Sequence, residues 1–304
     1  MKKLLMVMIA VLSACSFGMS ETEFAELKKK AEGGDADAMY AVGRCYRNGI
    51  GGAKDAELAS KWTQKAASNG LERAKGLCFE LGYGVKTNLS EAVKWYRKAA
   101  DKGDTVGQCN LGNCYRLGKG VKKDLAAAAN WYRKSADQGD AVGQCNLGGC
   151  YSLGDGVETN LAEAVKWYRK AADQGETQAQ CNLGNCYRLG RGVEKNFAEA
   201  VKWYRKAADQ GDLWAQVNLG MCYSKGEGVE KDFAEAVKWY RKAANKGDAK
   251  AQSMLGYCFK VGSGVEKSLT EAAKWYRKAA DQGDCYARTE LKELNAGDGD
   301  DRLK

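Results

Sequence analysis

Histidine and proline are both absent from the 304 residues, and no stretch beyond the first twenty is apolar enough to cross a bilayer as a helix. The lack of histidine removes the commonest general base, the Ser-His and Cys-His nucleophile pairs and the commonest ligand of transition metals. Most hydrolase and metalloenzyme chemistries go with it. Without proline, the punctuation of the chain rests on its 37 glycines. What is present suits a packed protein: 44% of residues are apolar and 29% are charged, which is not the composition of a disordered chain. The formal charge of +9 falls to +7 once Lys2 and Lys3 are set aside, mild evidence for an acidic partner.

Residues 1–20 read as a targeting segment. Lys2 and Lys3 precede the apolar run Leu4 to Leu12, which is too short to span a membrane and right for an export signal. Leu12-Ser13-Ala14-Cys15 resembles the bacterial lipobox, in which the cysteine is lipidated and becomes the new N-terminus. The alternative is ordinary cleavage after Ser20, with Gly18 at the minus-three position. Either way the protein is expected in the periplasm or on the outer membrane as a lipoprotein, and otherwise secreted. Its only expected membrane contact is that anchor.

Internal repetition decides the architecture. Trp-Tyr-Arg-Lys recurs at Trp95, Trp131, Trp167, Trp203, Trp239 and Trp275, each 36 residues after the last, and Trp62 holds the same place in a weaker first copy. Seven repeats therefore span 34–282, namely 34–69, 70–102, 103–138, 139–174, 175–210, 211–246 and 247–282. The second is three residues short, with the deficit near Ala74-Lys75 in its first helix. Residues 21–33 and 283–294 read as an N-terminal capping helix and a C-terminal capping half-repeat, and 295–304 as a disordered tail.

Each repeat is predicted to be two helices. In the first, small or apolar residues at spacings of four and three (Ala179, Leu183, Cys186, Gly190) make one buried stripe. Gly190 and Gly192 end it, since both can adopt positive φ. The second helix starts at Asn196 with Glu199 three residues on, a capping-box pattern repeated at Asn88/Glu91, Asn160/Glu163, Asp232/Glu235 and Ser268/Glu271. Its stripe is Ala200, Trp203 and Ala207, and Gly211 closes it. One hairpin cannot bury both stripes, so the repeats are predicted to stack into an all-α solenoid.

Leu183-Gly184-x-x-Tyr187, Gly190-x-Gly192-Val193 and Trp203-Tyr-Arg-Lys-Ala-Ala closely resemble the Sel1-like repeat, a relative of the tetratricopeptide repeat. The resemblance implies a right-handed superhelix that serves as a scaffold or adaptor in protein assemblies, without a cofactor. The first repeat departs from it by having Gly52 where Val is usual, the second by its shortening.

Cys45, Cys78, Cys114, Cys150, Cys186, Cys222 and Cys258 share one place on the buried stripe and read as small buried hydrophobes. Cys109, Cys145 and Cys181 lie five residues earlier in three successive repeats. Partners five apart on one helix are about 8.6 Å and 140° apart, beyond the reach of a disulfide and unsuited to a shared metal. The second set could bridge only to another repeat. Cys109–Cys150, Cys145–Cys186 and Cys181–Cys222 is one option, and bonding to the preceding repeat is the other. Cysteine-rich members of the family usually bridge the two helices of one repeat, but the second helices here carry no cysteine.

The informative surface is the inner face of the first helices, which lines the groove in the related superhelices. Asn110, Asn146, Asn182 and Asn218 recur at one position, with Asn113, Asn185, Arg116 and Arg188 on the same side. Such a ladder can hydrogen-bond the backbone of an extended peptide, or else pair with its neighbours in the stack. Trp214 lies outside the repeat pattern and could anchor a ligand. The Trp-Tyr-Arg-Lys runs suit core packing and the helix dipole better than nucleic acid, so no nucleic-acid partner is expected. The reading is a non-enzymatic scaffold of the cell envelope that binds a peptide or protein. The alternative is a β-lactamase-like or penicillin-binding hydrolase, as described for some cysteine-rich Sel1-like proteins, although Ser-x-x-Lys, Ser-Asp-Asn and Lys-Thr-Gly are all missing.

Overall fold

The structure, a computed structural model, describes the backbone of residues 19–300 and the side chains through Leu294; Cys15 and most of the stretch read from sequence as an export signal lie outside the described residues. Sixteen helices follow one another: α1 (Glu21–Glu32), α2 (Ala36–Asn48), α3 (Ala56–Ser68), α4 (Glu72–Leu81), α5 (Leu89–Asp101), α6 (Thr105–Leu117), α7 (Leu125–Asp137), α8 (Ala141–Leu153), α9 (Leu161–Asp173), α10 (Thr177–Leu189), α11 (Phe197–Asp209), α12 (Leu213–Lys225), α13 (Phe233–Asn245), α14 (Ala249–Val261), α15 (Leu269–Asp281) and α16 (Cys285–Asp300). No strand occurs among the described residues. The last helix runs through 295–300, part of the stretch read from sequence as a disordered tail, and spans both Gly297 and Gly299, each of which costs a helix about 1 kcal/mol. Two units are formed, one up to Leu183 with Arg191–Val193, the other Gly184–Gly190 with the chain from Glu194. In the first, α1 packs on α2, and the hairpins α2–α3, α4–α5, α6–α7 and α8–α9 pack one on another in that order. In the second, consecutive helices from α11 to α16 do the same.

The helices begin where an oxygen can take up orphan backbone N–H groups. Asp104 Oδ1 accepts from Gly107 N before α6, and Asn196 Oδ1 accepts from Glu199 N before α11. Among the described residues the reciprocal half of the capping box forms at Ser20/Glu23 of α1. In the second helix of each repeat the cap residue's own N–H is already engaged: Asn196 N donates to Tyr187 O, and Asn88 N to Phe79 O. The glutamate is thereby released outward, and Glu199 pairs with Lys202, as Glu91 does with Lys94. The turn between the helices requires glycine twice. Gly118 caps α6 at φ 69°, and Gly120, also at 69°, lies so close to the start of α5 that a Cβ would stand 2.2 Å from Leu89 O.

The core differs in one respect from the expected stripe. The tyrosine of Trp-Tyr-Arg-Lys is the deeper residue: Tyr96, Tyr132, Tyr204 and Tyr276 are 0% exposed. Each ring fills the hollow left by a glycine of the first helix; a methyl at Gly112 would come within 2.6 Å of Tyr132. The tryptophan is buried at Trp203 and Trp239 but half-buried at Trp95, Trp131, Trp167 and Trp275, and Trp131 and Trp167 rest on cores shared with the preceding repeat. The lysine three residues on covers its outer side, as Lys134 does at 3.8 Å from the Trp131 ring centroid.

Buried glutamines link the repeats. Gln108 Nε2 donates to Ala100 O of α5, while Gln108 Oε1 accepts from Gln138 just after α7. Gln144 does the same with Ala136 O and Gln174, and Gln252 with Ala244 O and Gln282. Gln216 keeps its donation to Ala208 O, but Lys246 stands where the donor glutamine stands elsewhere, and Gln216 Oε1 is buried without a partner.

The short repeat has lost the N-terminal turn of its first helix. Helix α4 has 10 residues where α6 has 13, and its cap, Leu71, offers no side-chain hydrogen bond. A buried cation occupies the gap. Arg73 donates to Asp37 of α2 and to Asp104, the cap of α6, and stacks 5.0 Å from the Tyr40 ring centroid. Beside it, Lys102 bonds Glu72, which sits where the other repeats have glutamine. The repeats on either side are therefore tied to one guanidinium.

Candidate functional site

The burial of Leu111, Gly112 and Cys114 leaves the opposite side of α6 open, and residues spaced by four, three and four define it: Val106, Asn110, Asn113 and Leu117. On α8 the same places hold Val142, Asn146, Gly149 and Leu153. Asn110, Asn146 and Asn182, all in the first unit, are half-buried, and none of their side-chain amides has a hydrogen-bond partner among the described residues. Each retains two donors and an acceptor.

The four other polar residues singled out on this face are used inside their own repeats. The Tyr132 hydroxyl donates to Asn113 Oδ1 at 2.8 Å, and Arg116 also bonds that phenol. In the second unit the Tyr204 hydroxyl donates to Asn185 Oδ1 at 2.7 Å and accepts from Arg188 Nε at 3.2 Å. Burial pushes the Tyr132 phenol up to about 12, against the pull of Arg116. These groups clasp the core tyrosine to the first helix, a pairing of positions 19 residues apart that helical periodicity alone does not reveal.

Leucines flanking the ladder escaped sequence reasoning. Leu117 and Leu153 are 50% and 74% exposed and Val142 is also exposed, although each continues a helix with a well-filled core on its other side. The signal was present in their 36-residue spacing. In the second unit Trp214 is 66% exposed, with Lys250 Nζ 6.0 Å from its ring centroid, whereas Asn218 is buried.

The cysteines form neither cross-repeat disulfide scheme: Cys78, Cys109, Cys114, Cys145, Cys150 and Cys222 are all thiols. The Cys109 thiol instead donates to Ser135 Oγ at 3.3 Å and to Asp140 Oδ2 at 3.5 Å. Burial pushes Cys78, Cys114, Cys150, Cys222 and Cys258 up to about 11. The unfolded chain releases those protons near pH 9 while the folded one retains them, so stability is lost as pH rises from about 9 toward 11. The melting temperature should fall steeply across that window, and replacing the five by alanine should flatten the fall; an equal slope in both proteins would show that other groups cause it. No group of three or more Cys, Asp or Glu among the described residues could hold a metal ion. The open face offers amides and apolar side chains, groups that bind a polypeptide by hydrogen bonding and contact.

Comparison with known proteins agrees with this geometry. The Sel1 repeat pattern matches residues 36–71, 74–104, 105–140, 141–176, 177–212, 215–248 and 249–284. The chain is similar to the crystal structure of a protective antigen present in uropathogenic Escherichia coli strains displaying an SLR fold, with 39% identity and a TM-score of 0.67 over 89% of this chain and 59% of that one. It is also similar to a Sel1 repeat protein from Oxalobacter formigenes, with 32% identity and a TM-score of 0.68 over 93% and 84% of the two chains. Yeast Tom70 shares the fold alone, at 14% identity and a TM-score of 0.52 over 93% of this chain and 60% of that one. No curated protein matches.

Proposed function

The chain belongs to the Sel1 repeat family, an all-α repeat scaffold suited to protein–protein interaction, and from that premise we propose that the open face of its first unit binds an extended peptide through Asn110, Asn146 and Asn182. What supports this reading is that these three amides recur every 36 residues, half-buried and without hydrogen-bond partners, while Asn113 is taken up by Tyr132. Helices in contact, as α6 and α8 are, lie about 8–10 Å apart, and an extended chain advances about 3.3 Å per residue. One asparagine therefore meets roughly every third residue of the peptide. Val142, Leu117 and Leu153 flank the amides and receive its apolar side chains.

Asn146→Ala and Asn182→Ala should each weaken binding of the partner recovered by affinity capture by about 0.5–1.5 kcal/mol, with little change in melting temperature. A lowered melting temperature with intact affinity would instead make these residues braces of the stack. Arg116→Ala and Arg188→Ala should act on the core tyrosines and lower stability.

We further propose that the protein is exported and held on the cell envelope by lipid at Cys15, on the strength of the lipobox-like residues before it. Cys15→Ser should then move the protein from the membrane to the soluble fraction. Recovery of a soluble wild-type protein whose first residue is Glu21 would sink the lipid anchor while leaving export intact.

A further inference from the structure

We propose that the open face of the second unit is a separate docking site, which takes a segment presenting bulky apolar side chains between carboxylates. The chemistry of the repeat position changes there. Met254 stands where Asn110, Asn146, Asn182 and Asn218 stand, and Tyr257 where Asn113 and Asn185 stand. Leu219, Cys222, Leu255 and Cys258 fill the core from the other side of α12 and α14, so stacking does not account for what the open side carries. Trp214, Tyr257 and Val261 are 66%, 46% and 44% exposed, whereas Met221 and Met254 are half-buried and rest on the core of this unit. Lys250 of α14 reaches the Trp214 ring of α12, so the two open faces adjoin. The result is an apolar surface with a methionine floor and aromatic sides. Methionine adapts to irregular partners, and Trp, Tyr and Met are enriched in the cores of interfaces.

Two further observations narrow the occupant. Asn218 is only 6% exposed and has no hydrogen-bond partner among the described residues, so a peptide group laid beside Met254 would find an amide to bond. Lys225 and Lys250 stand at the ends of the patch, while Glu290 and Glu293 of the neighbouring α16 are engaged by Lys260. The uncompensated charge is positive and calls for carboxylates beside the apolar residues. A second copy applied face to face would set lysines against lysines.

A dye-labelled peptide with Leu-Phe-Leu between glutamate pairs, titrated with the purified full-length protein at low salt and read by anisotropy, tests the site. A sister peptide with lysine pairs should bind at least tenfold more weakly. The double variant Met254→Asn/Tyr257→Asn installs residues that other repeats carry at those places, so it should keep the fold; it should lose at least tenfold in affinity for the glutamate peptide with an unchanged melting curve. Asn146→Ala/Asn182→Ala should leave this binding intact, which separates it from the asparagine ladder. The proposal is overturned by no saturable binding at 100 μM protein, by equal affinity for the two peptides, or by full affinity in the double variant. It is equally overturned if the patch variant abolishes self-association or binding to anionic phospholipid vesicles while the glutamate peptide remains unbound by wild type.

Discussion

Alanine at Gly156 is expected to lower the unfolding free energy by about 2–5 kcal/mol, the combined cost of a left-handed alanine and of backbone overpacking. Gly156 has φ 73°, and a Cβ there would stand 2.0 Å from Leu125 O, an atom of the preceding repeat that cannot rotate away. Gly175 supplies the control. It too has positive φ, at 91°, but nothing lies within 4 Å of its absent Cβ, so alanine there should cost only about 1–2 kcal/mol. Urea unfolding of the two variants measures the difference. Equal losses would mean that the close seating of one repeat's turn on the preceding helix is not needed for stacking.

Arg73→Ala should destabilise the first unit by about 2–4 kcal/mol, somewhat below the loss on breaking a fully buried pair, because Asp37 is well exposed and can rehydrate. Arg73→Lys should recover only part of it. A lysine has one point charge and cannot present two parallel edges to carboxylates on α2 and α6. If lysine restored full stability, charge alone would matter and the forked geometry would not. Hydrogen exchange would locate the effect, with protection falling first in α2, α4 and α6.

The repeats were legible because self-similarity multiplies a weak signal: Trp-Tyr-Arg-Lys and Gly-x-Gly-Val mark every hairpin but the first, and Asn or Asp stands at most caps. Depth was not legible. That Tyr132 lies under Trp131 follows from the hollow at Gly112, a contact between helices rather than a property of either stripe. The division of the asparagines escaped for a like reason. Asn110 and Asn113 are both polar residues on one helical face, and only the position of the Tyr132 hydroxyl decides that one is engaged and the other open. Arg73 reads as an ordinary exposed cation until the loss of a turn brings Asp37 and Asp104 to it.

The glutamine links bear on how such a chain can change its length. Each link joins residues 30 apart, such as Gln108 and Gln138, and the first glutamine of the pair also bonds a carbonyl eight residues before it. A duplication or excision of 36 residues, begun at any point within the regular repeats, reproduces both partners of every link. A length that is not a multiple of 36 breaks one. The short repeat shows what such a break demands, since its register persists only with Glu72, Lys102 and Arg73 in place of the standard residues. Lineages of this protein should therefore gain and lose reach in whole repeats, and a partial repeat should carry charged replacements at its seam.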